Sequence, residues 1–188
     1  MKIQEYLAKN TSLSAQELAD LGLKFKEMTA EAGEYIVEQK TVCRKLLFLE
    51  RGCVAMLYER ENKTFIKDFI FAYSFASVYE SFITSKPARY SLKAITDCKY
   101  QSISFHDLEK SYRSIPELKE LAARQTEAAY LNITKRLESL ITLSAEQRYL
   151  ELLERRPKLI SEVPLYLIAS YLGITDVALS RIRKKIMS

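Results

Sequence analysis

The feature that most constrains this chain is a stretch near its C-terminus, residues 164–185, with the sequence PLYLIASYLGITDVALSRIRKK. Apolar residues recur at helical spacing before Gly173, and a second amphipathic run follows the glycine. Thr175 is of a residue type that caps the start of a helix well. The pattern therefore predicts two short helices joined by a tight turn, a helix-turn-helix.

Four positions in this stretch carry the residue types that such a unit requires. Ala169 is small, which lets the helices approach, and Gly173 can take the positive φ of the turn. Leu179 and Ile182 would hold the second helix against the first. The alternative is an ordinary helical hairpin with a solvated basic end, but the conjunction of positions favours a DNA-binding unit.

The second helix would present polar and basic side chains to DNA. Residues 165–188 include four cations and one anion, which concentrates positive charge as a phosphate-binding surface needs. Asp176 can accept a hydrogen bond from cytosine N4, but we prefer the interpretation that it stabilises the helix dipole. The predicted DNA-contacting residues are Thr175, Asp176, Ser180, Arg181, Arg183, Lys184 and Lys185.

Composition argues against several other classes of protein. Of the 188 residues, 48% are apolar and 28% charged, which is typical of a soluble globular protein. The longest uncharged run is too short for a membrane span, and no signal peptide is recognisable, so a cytoplasmic protein is expected. Cys43, Cys53 and Cys98 lack metal-ligand spacing and are expected to be buried thiols, without a cofactor. No nucleophile–base pair or phosphate loop is recognisable, so no enzyme is expected.

The part of the chain before residue 113 changes character once. Residues 1–31 are predicted to be helical, with a capping box at residues 14–17 and a kink or end at Gly22. From residue 31 to about 104, short β-forming runs alternate with turns such as the one at Gly52, which predicts a barrel, sandwich or roll. Residues 69–84 are apolar and aromatic, and predict a buried strand, a short helix and a candidate ligand pocket.

A long helix is predicted after the β-rich block. Ser114 is its expected N-cap, and no glycine or proline occurs in residues 117–156. One stripe of this helix suits close approach of a second helix or contact with a ligand, and the alternative is packing on its own domain. We predict a dimer, because a two-fold protein matches a palindromic operator. The stripe consists of Leu118, Leu121, Ala122, Gln125, Ala128, Ala129, Asn132, Leu137, Leu140 and Ile141.

Taken together, these segments resemble the cyclic-AMP receptor (Crp/Fnr) family of bacterial transcription regulators over essentially the whole chain. Residues 47–58, LFLERGCVAMLY, are similar to the family's roll, and residues 168–175 with residues 179–183 are similar to its helix-turn-helix. The resemblance implies an α+β fold with an N-terminal cyclic-nucleotide-binding-like β-roll, a long dimerisation helix and a C-terminal helix-turn-helix. The implied domains are a sensor at 1–113, the dimerisation helix at 114–142 and a DNA-binding domain at 143–188.

The resemblance implies a homodimeric transcription regulator that binds double-stranded DNA. An effector in the roll would shift the long helices and so reset the spacing of the two recognition helices. One alternative is a constitutive regulator whose roll is a scaffold, which a pocket crowded by Phe71, Phe75 and Tyr79 would favour. Another is a signalling module in which the roll binds a ligand and the tail binds a protein partner instead of DNA.

The roll departs from the family members that bind cyclic AMP. The run that matches their phosphate cassette, residues 73–77, has no glutamate, and Arg89 is followed by Tyr90 where Ser or Thr is typical. A buried anion without its arginine is costly, so either a small molecule other than cyclic AMP uses the pocket or aromatic side chains fill it. The predicted pocket residues are Tyr73, Ser74, Phe75, Ala76, Ser77, Arg89, Tyr90 and Asn132.

The C-terminal part departs from the family as well. Arg181 stands where the family often reads a base, but Asp176 and Val177 replace the typical Arg-Glu pair, so a different base preference is expected. The sequence ends at Ser188, so no β-wing is expected. Its phosphate contacts would come from Arg183, Lys184 and Lys185. The single histidine, His106, supports neither haem nor an iron–sulfur cluster.

Overall fold

The structure of the chain, a computed structural model, describes residues 1–20, 23–61 and 63–187. The strands are β1 Lys26–Ala30, β2 Tyr35–Val37, β3 Lys45–Arg51, β4 Cys53–Arg60, β5 Lys63–Phe71, β6 Ser74–Ala76, β7 Ser91–Ala94 and β8 Cys98–Ser104. The helices are α1 Ile3–Asn10, α2 Ala15–Asp20, α3 Tyr79–Thr84, α4 Phe105–Ser114, α5 Pro116–Thr142, α6 Ala145–Arg155, α7 Pro157–Glu162, α8 Leu165–Leu172 and α9 Asp176–Met187.

The described strands form a roll of two antiparallel sheets. Their strand orders are β1-β8-β3-β6 and β2-β7-β4-β5. Alternate residues of facing strands, among them Leu47, Leu49, Val54 and Leu92, fill the space between the sheets. The α+β architecture that the sequence predicts, a β-roll followed by a long helix and short C-terminal helices, is confirmed.

The N-terminal prediction is only partly correct. A capping box at Ser14 is present, since the Ser14 hydroxyl accepts from the Glu17 amide and the Glu17 carboxylate accepts from the Ser14 amide. The helical prediction for residues 1–31 is wrong at its end, because β1 pairs there with β8. Four of the five β1 residues are exposed, so the strand has no apolar alternation, and only its long-range backbone pairing defines it. Gly22 lies outside the described residues, and so does Asn62, where the sequence predicts a hairpin turn over residues 61–63.

The long helix buries apolar side chains against its own domain in its first turns. Leu118 and Leu121 are buried with α1 and with Phe48 of the roll, so this end of the predicted dimer stripe lies on the protein's own core. The N-cap is Ile115, not Ser114, because α4 continues to Ser114. From residue 123 onward most of the helix is exposed.

The C-terminal helices share a core with the roll. Leu57, Ile66 and Phe69 of the roll belong to the same buried cluster as Ile168 and Leu179 of the helical part. Among the described residues no single helix is long and apolar enough to cross a membrane. The α8–α9 pair together meets a length and composition criterion, but it is bent by 97°.

The three cysteines are buried free thiols, as predicted. Burial raises the pKa of Cys53 to about 12 and the pKa of Cys98 to about 11. Both groups therefore stay protonated at neutral pH and contribute to packing.

Candidate nucleic-acid interface

The turn between α8 and α9 has the conformation that its sequence predicts. Helix α8 ends at Gly173, whose φ is +69°. The Ile174 amide donates to the Ala169 carbonyl at 3.0 Å, which closes the turn. The Thr175 hydroxyl then accepts from the Ala178 amide at 3.3 Å and caps α9. The resulting 97° bend is within the range of a helix-turn-helix.

The inner side of the helix-turn-helix is apolar, as the spacing predicts. Ala169 and Leu172 of α8 are buried, and so is Leu179 of α9. Ile182 is partly buried and packs against the same cluster. These contacts fix α9 across α8 and determine which of its faces is left exposed.

The exposed face of α9 carries polar and basic groups. Val177 is 61% exposed, and Ser180, Arg181 and Lys184 follow it at helical spacing and are exposed too. Asp176 is exposed at the start of α9, where its negative charge interacts favourably with the positive end of the helix dipole. The structure thus brings two cations, Arg181 and Lys184, onto the same exposed face.

Two of the predicted DNA-contacting residues lie beside this face. Arg183 is partly buried and lines a pocket of about 260 Å³ with Leu165 of α8. The Arg183 Nε atom is buried and has no hydrogen-bond partner within the described part of the chain. The Lys185 ammonium donates to the Glu146 carboxylate of α6 at 2.7 Å. Both cations are therefore at the rim of the surface.

The predicted effector residues do not form one pocket. Ala76, Ser77 and Tyr90 are buried. Phe75, the residue before Ala76, packs on the opposite side of β6. Its ring lies 5.3 Å from that of Phe48, because alternate residues of a strand face opposite sides. The remaining predicted residues are exposed, namely Tyr73, Ser74, Arg89 and Asn132.

Two partly buried residues that carry no signal in the sequence, Tyr58 and Lys67, lie beside Tyr90. The Tyr58 and Tyr90 rings lie 5.6 Å apart, and the Lys67 ammonium lies 4.1 Å from the centre of the Tyr90 ring. Burial raises the pKa of Tyr90 to about 12 and lowers the pKa of Lys67. Arg89, by contrast, is exposed, so it is not placed to pair a buried phosphate.

The aromatic residues expected to crowd the pocket lie elsewhere. Phe71 packs against the cluster shared with the C-terminal helices, Phe75 packs on α1, and Tyr79 is exposed. A pocket of about 300 Å³ opens at the roll surface between Tyr58 and Phe65. The sequence carries little signal for this arrangement, because a β-bulge in β5 changes which residues face inward.

No protein-family model matches the sequence, and no curated protein matches it either. Solved structures do match. FixK2 from Bradyrhizobium japonicum is 17% identical over 88% of this chain and 85% of its own, with a TM-score of 0.76. CLP from Xanthomonas campestris, described as a c-di-GMP-responsive global regulator, is 17% identical over 93% of this chain and 92% of its own, with a TM-score of 0.74.

A third match is a protein from Eubacterium rectale assigned to the Crp/Fnr family of transcriptional regulators. It is 12% identical over 94% of this chain and 84% of its own, with a TM-score of 0.72. These matches extend over the roll, the long helix and the C-terminal helices. The chain has the fold of the Crp/Fnr regulators, a β-roll joined by a long helix to a C-terminal helix-turn-helix.

Proposed function

We propose that this protein is a DNA-binding transcription regulator of the Crp/Fnr type, and not an enzyme. The observation that carries the proposal is the exposed face of α9, which presents Ser180, Arg181 and Lys184 on a capped helix-turn-helix. A helix of this size fits the major groove, and its fixed crossing with α8 keeps the remaining faces away from DNA. The similarity to regulators of known fold supports the same function.

The geometry refines the role of each predicted contact. Arg181 is the residue for a base edge, and Lys184 and Ser180 are the residues for phosphates. Arg183 and Lys185 act from the rim, since one is partly buried and the other pairs with Glu146. Thr175 caps α9, and Asp176 favours the dipole of that helix.

A homodimer through α5 belongs to this proposal. The C-terminal half of α5 leaves an apolar stripe exposed, at spacings of three and four residues. Tyr130 is 68% exposed and Ile141 is 73% exposed. A second copy of α5 would cover this stripe, and a two-fold protein would match a palindromic site. The stripe consists of Tyr130, Ile133, Leu137, Leu140 and Ile141.

The roll gives two versions of the same function. In one, a small molecule other than cyclic AMP displaces Lys67 from the Tyr90 ring and regulates DNA binding. In the other, the roll is a scaffold and the regulator is constitutive. The Tyr58–Tyr90 pair and the Lys67 ammonium already occupy the interior, which favours the second version.

The experiment that tests the proposal is an in vitro selection of genomic DNA fragments on the purified protein at near-physiological salt. We expect enrichment of a two-fold symmetric site with half-sites about one helical turn apart. Arg181→Ala should cost about 1–3 kcal/mol on that site and relax specificity at one position. Lys184→Ala should weaken binding to all sequences alike and lower the salt slope by about one.

A matched control is Arg89→Ala, which removes an exposed cation of the roll and should leave binding unchanged. If wild-type protein shows neither enrichment nor salt-dependent affinity, with or without cell extract, the DNA-binding function is wrong. The alternative of a signalling module that acts through a protein partner would then replace it.

A further inference from the structure

The edge of the roll nearest the helix-turn-helix is strand β5, and its backbone is bonded to side chains of the helical part. An edge strand leaves a row of backbone groups unpaired. Here the Ile66 amide donates to the Ser170 hydroxyl at 3.1 Å, and that hydroxyl donates to the Thr64 carbonyl at 2.8 Å. Arg136 of α5 donates to the Ile66 carbonyl at 3.1 Å. Ser170 of α8 and Arg136 of α5 thus pair three backbone groups of this edge, the Thr64 carbonyl and the amide and carbonyl of Ile66.

A second set of bonds is centred on Arg156, at the junction of α6 and α7. Its guanidinium donates to the Asp68 carboxylate at 2.6 Å and to the Phe69 carbonyl at 2.6 Å, both on β5. It also donates to the Tyr171 hydroxyl of α8 at 3.1 Å. Burial lowers the pKa of Arg156, but the charge and hydrogen bond of Asp68 outweigh that effect and raise it. Charge-assisted bonds in a partly buried site are stronger than surface ion pairs.

Tyr171 joins the two sets of bonds. Its ring lies 3.8 Å from the Arg136 guanidinium carbon and 5.8 Å from the Phe69 ring centre. Arg136 also donates to the Tyr171 carbonyl at 2.9 Å. The last turn of α8, which leads into the recognition helix, is thus held from the roll, from α5 and from the α6–α7 junction at once.

Strand β5 connects this joint to the roll interior. Asp68 pairs with Met56 and Ile66 pairs with Leu57, so Lys67 is the extra residue of a β-bulge. Lys67 points to Tyr90 inside the roll, and the next residue, Asp68, bonds Arg156 outside it. These two neighbouring residues therefore make contacts on opposite sides of the strand, one with the roll and one with the α6–α7 junction.

We propose that Arg156 is a positioning residue for DNA recognition, which clamps α8 to strand β5 so that α9 follows the roll directly and not only through the long helix. This inference rests on the proposed function, because it takes α9 as the DNA-reading helix. It differs from a mechanism in which the roll signals through α5 alone. The clamp consists of Asp68, Arg156, Tyr171 and Arg136.

The first test measures the clamp without DNA, by amide hydrogen exchange of the full-length protein. The Ile66 amide reports on the joint because its acceptor is the Ser170 hydroxyl of α8. We expect Arg156→Met to speed exchange at Ile66 by about tenfold or more, and Asp68→Asn to do so to a smaller extent. The Ala88 amide, bonded to the Thr41 carbonyl on another part of the roll, should exchange at the wild-type rate in both variants.

Arg155→Met is the matched control. Arg155 is exposed, lies next to Arg156 in sequence and, among the bonds that the structure describes, pairs only with Glu151 of the same helix. It should leave exchange at Ile66 unchanged. Equal exchange rates at Ile66 in wild type and Arg156→Met overturn the clamp. If Arg156→Met speeds exchange at Ala88 as well, that variant has lost stability in general. The clamp is then tested by Asp68→Asn, which keeps the size of the side chain: faster exchange at Ile66 alone supports the clamp, and unchanged exchange at Ile66 overturns it.

The second test uses DNA. A clamp that orients α9 should, when broken, widen the range of half-site spacings that the selection enriches, while the salt slope stays constant because Arg156 lies away from the exposed face of α9. Unchanged spacing with a faster Ile66 amide overturns the positioning role. Failure of wild-type protein to select DNA overturns the proposed function, and the exchange comparison still confirms or overturns the coupling of α8 to β5.

Discussion

Gly52 shows how one residue can decide the geometry of the roll. It forms the turn between β3 and β4 with a φ of +98°. A Cβ at this position would lie 2.6 Å from the Asp97 carbonyl oxygen and 2.8 Å from the Cys98 Sγ atom. Glycine is therefore required twice here, for the backbone conformation and for the close approach of β8.

We expect Gly52→Ala to lower the free energy of unfolding by more than about 2 kcal/mol, because strain at positive φ alone costs about 1–2 kcal/mol and the backbone clash adds to it. Urea denaturation followed by circular dichroism measures the change. Gly33→Ala is the matched control, with a φ of +92° and no neighbour within 4 Å. It should show the strain alone, and an equal loss in the two variants would contradict the clash.

Residues that act locally could be predicted from the sequence, and residues that act through distant contacts could not. Gly173 and Thr175 form a turn and a cap with their near neighbours, so their types alone indicated their roles. Arg156 follows a helix, and nothing in the neighbouring sequence indicates that its guanidinium bonds to Asp68 of β5. The sequence likewise does not indicate the inward orientation of Lys67, which results from the β-bulge in β5.

At the scale of elements, α5 is one helix whose two halves have different surroundings. Leu118 and Leu121 are buried against the roll and α1, while Leu137 and Ile141 are exposed. The sequence periodicity continues through both halves, so it predicted a single stripe with a single use. The structure divides that stripe where α5 leaves its own domain, and only the exposed half is available to a second copy.

We expect the double variant Ile133→Glu with Leu137→Glu to convert the proposed dimer into a monomer, because charges on the facing stripes would be buried unpaired. Sedimentation velocity over a range of protein concentrations measures the oligomeric state. Lys135→Glu is the control, since residue 135 is exposed on the other side of α5. A variant that still sediments as the wild type would place any dimer interface elsewhere.

Strands were less predictable than helices. The β-forming residues predict most of the roll strands, but they do not predict β1, because its exposed residues carry no alternation. Its position depends on the backbone of β8, more than sixty residues away in sequence. Capped helices such as α6 have their start signal within four residues, as the Ser144–Gln147 capping box shows.

At the scale of the whole molecule, the helix-turn-helix is built onto the roll. The buried cluster of the C-terminal helices continues into the roll through Leu57, Ile66 and Phe69. A helical part after residue 143 is predictable from capping boxes and helical periodicity, but nothing in the residues of α8 or β5 indicates that these two elements pack together. We therefore expect the roll and the helical part to unfold in one cooperative transition.

Phe69 tests this expectation, because it is a roll residue that is 1% exposed in the shared cluster. Phe69→Ala should cost about 3–5 kcal/mol, as for a large side chain removed from a packed core. Phe48→Ala, a matched change in the cluster of α1 and α5, should cost a similar amount. Differential scanning calorimetry at one protein concentration should show a single transition that both variants shift, with equal calorimetric and van 't Hoff enthalpies.

A second transition that Phe48→Ala leaves in place would show that the helix-turn-helix unfolds independently. In that case the shared cluster is a contact between two separate units, and coupling through it depends on the Arg156 bonds alone.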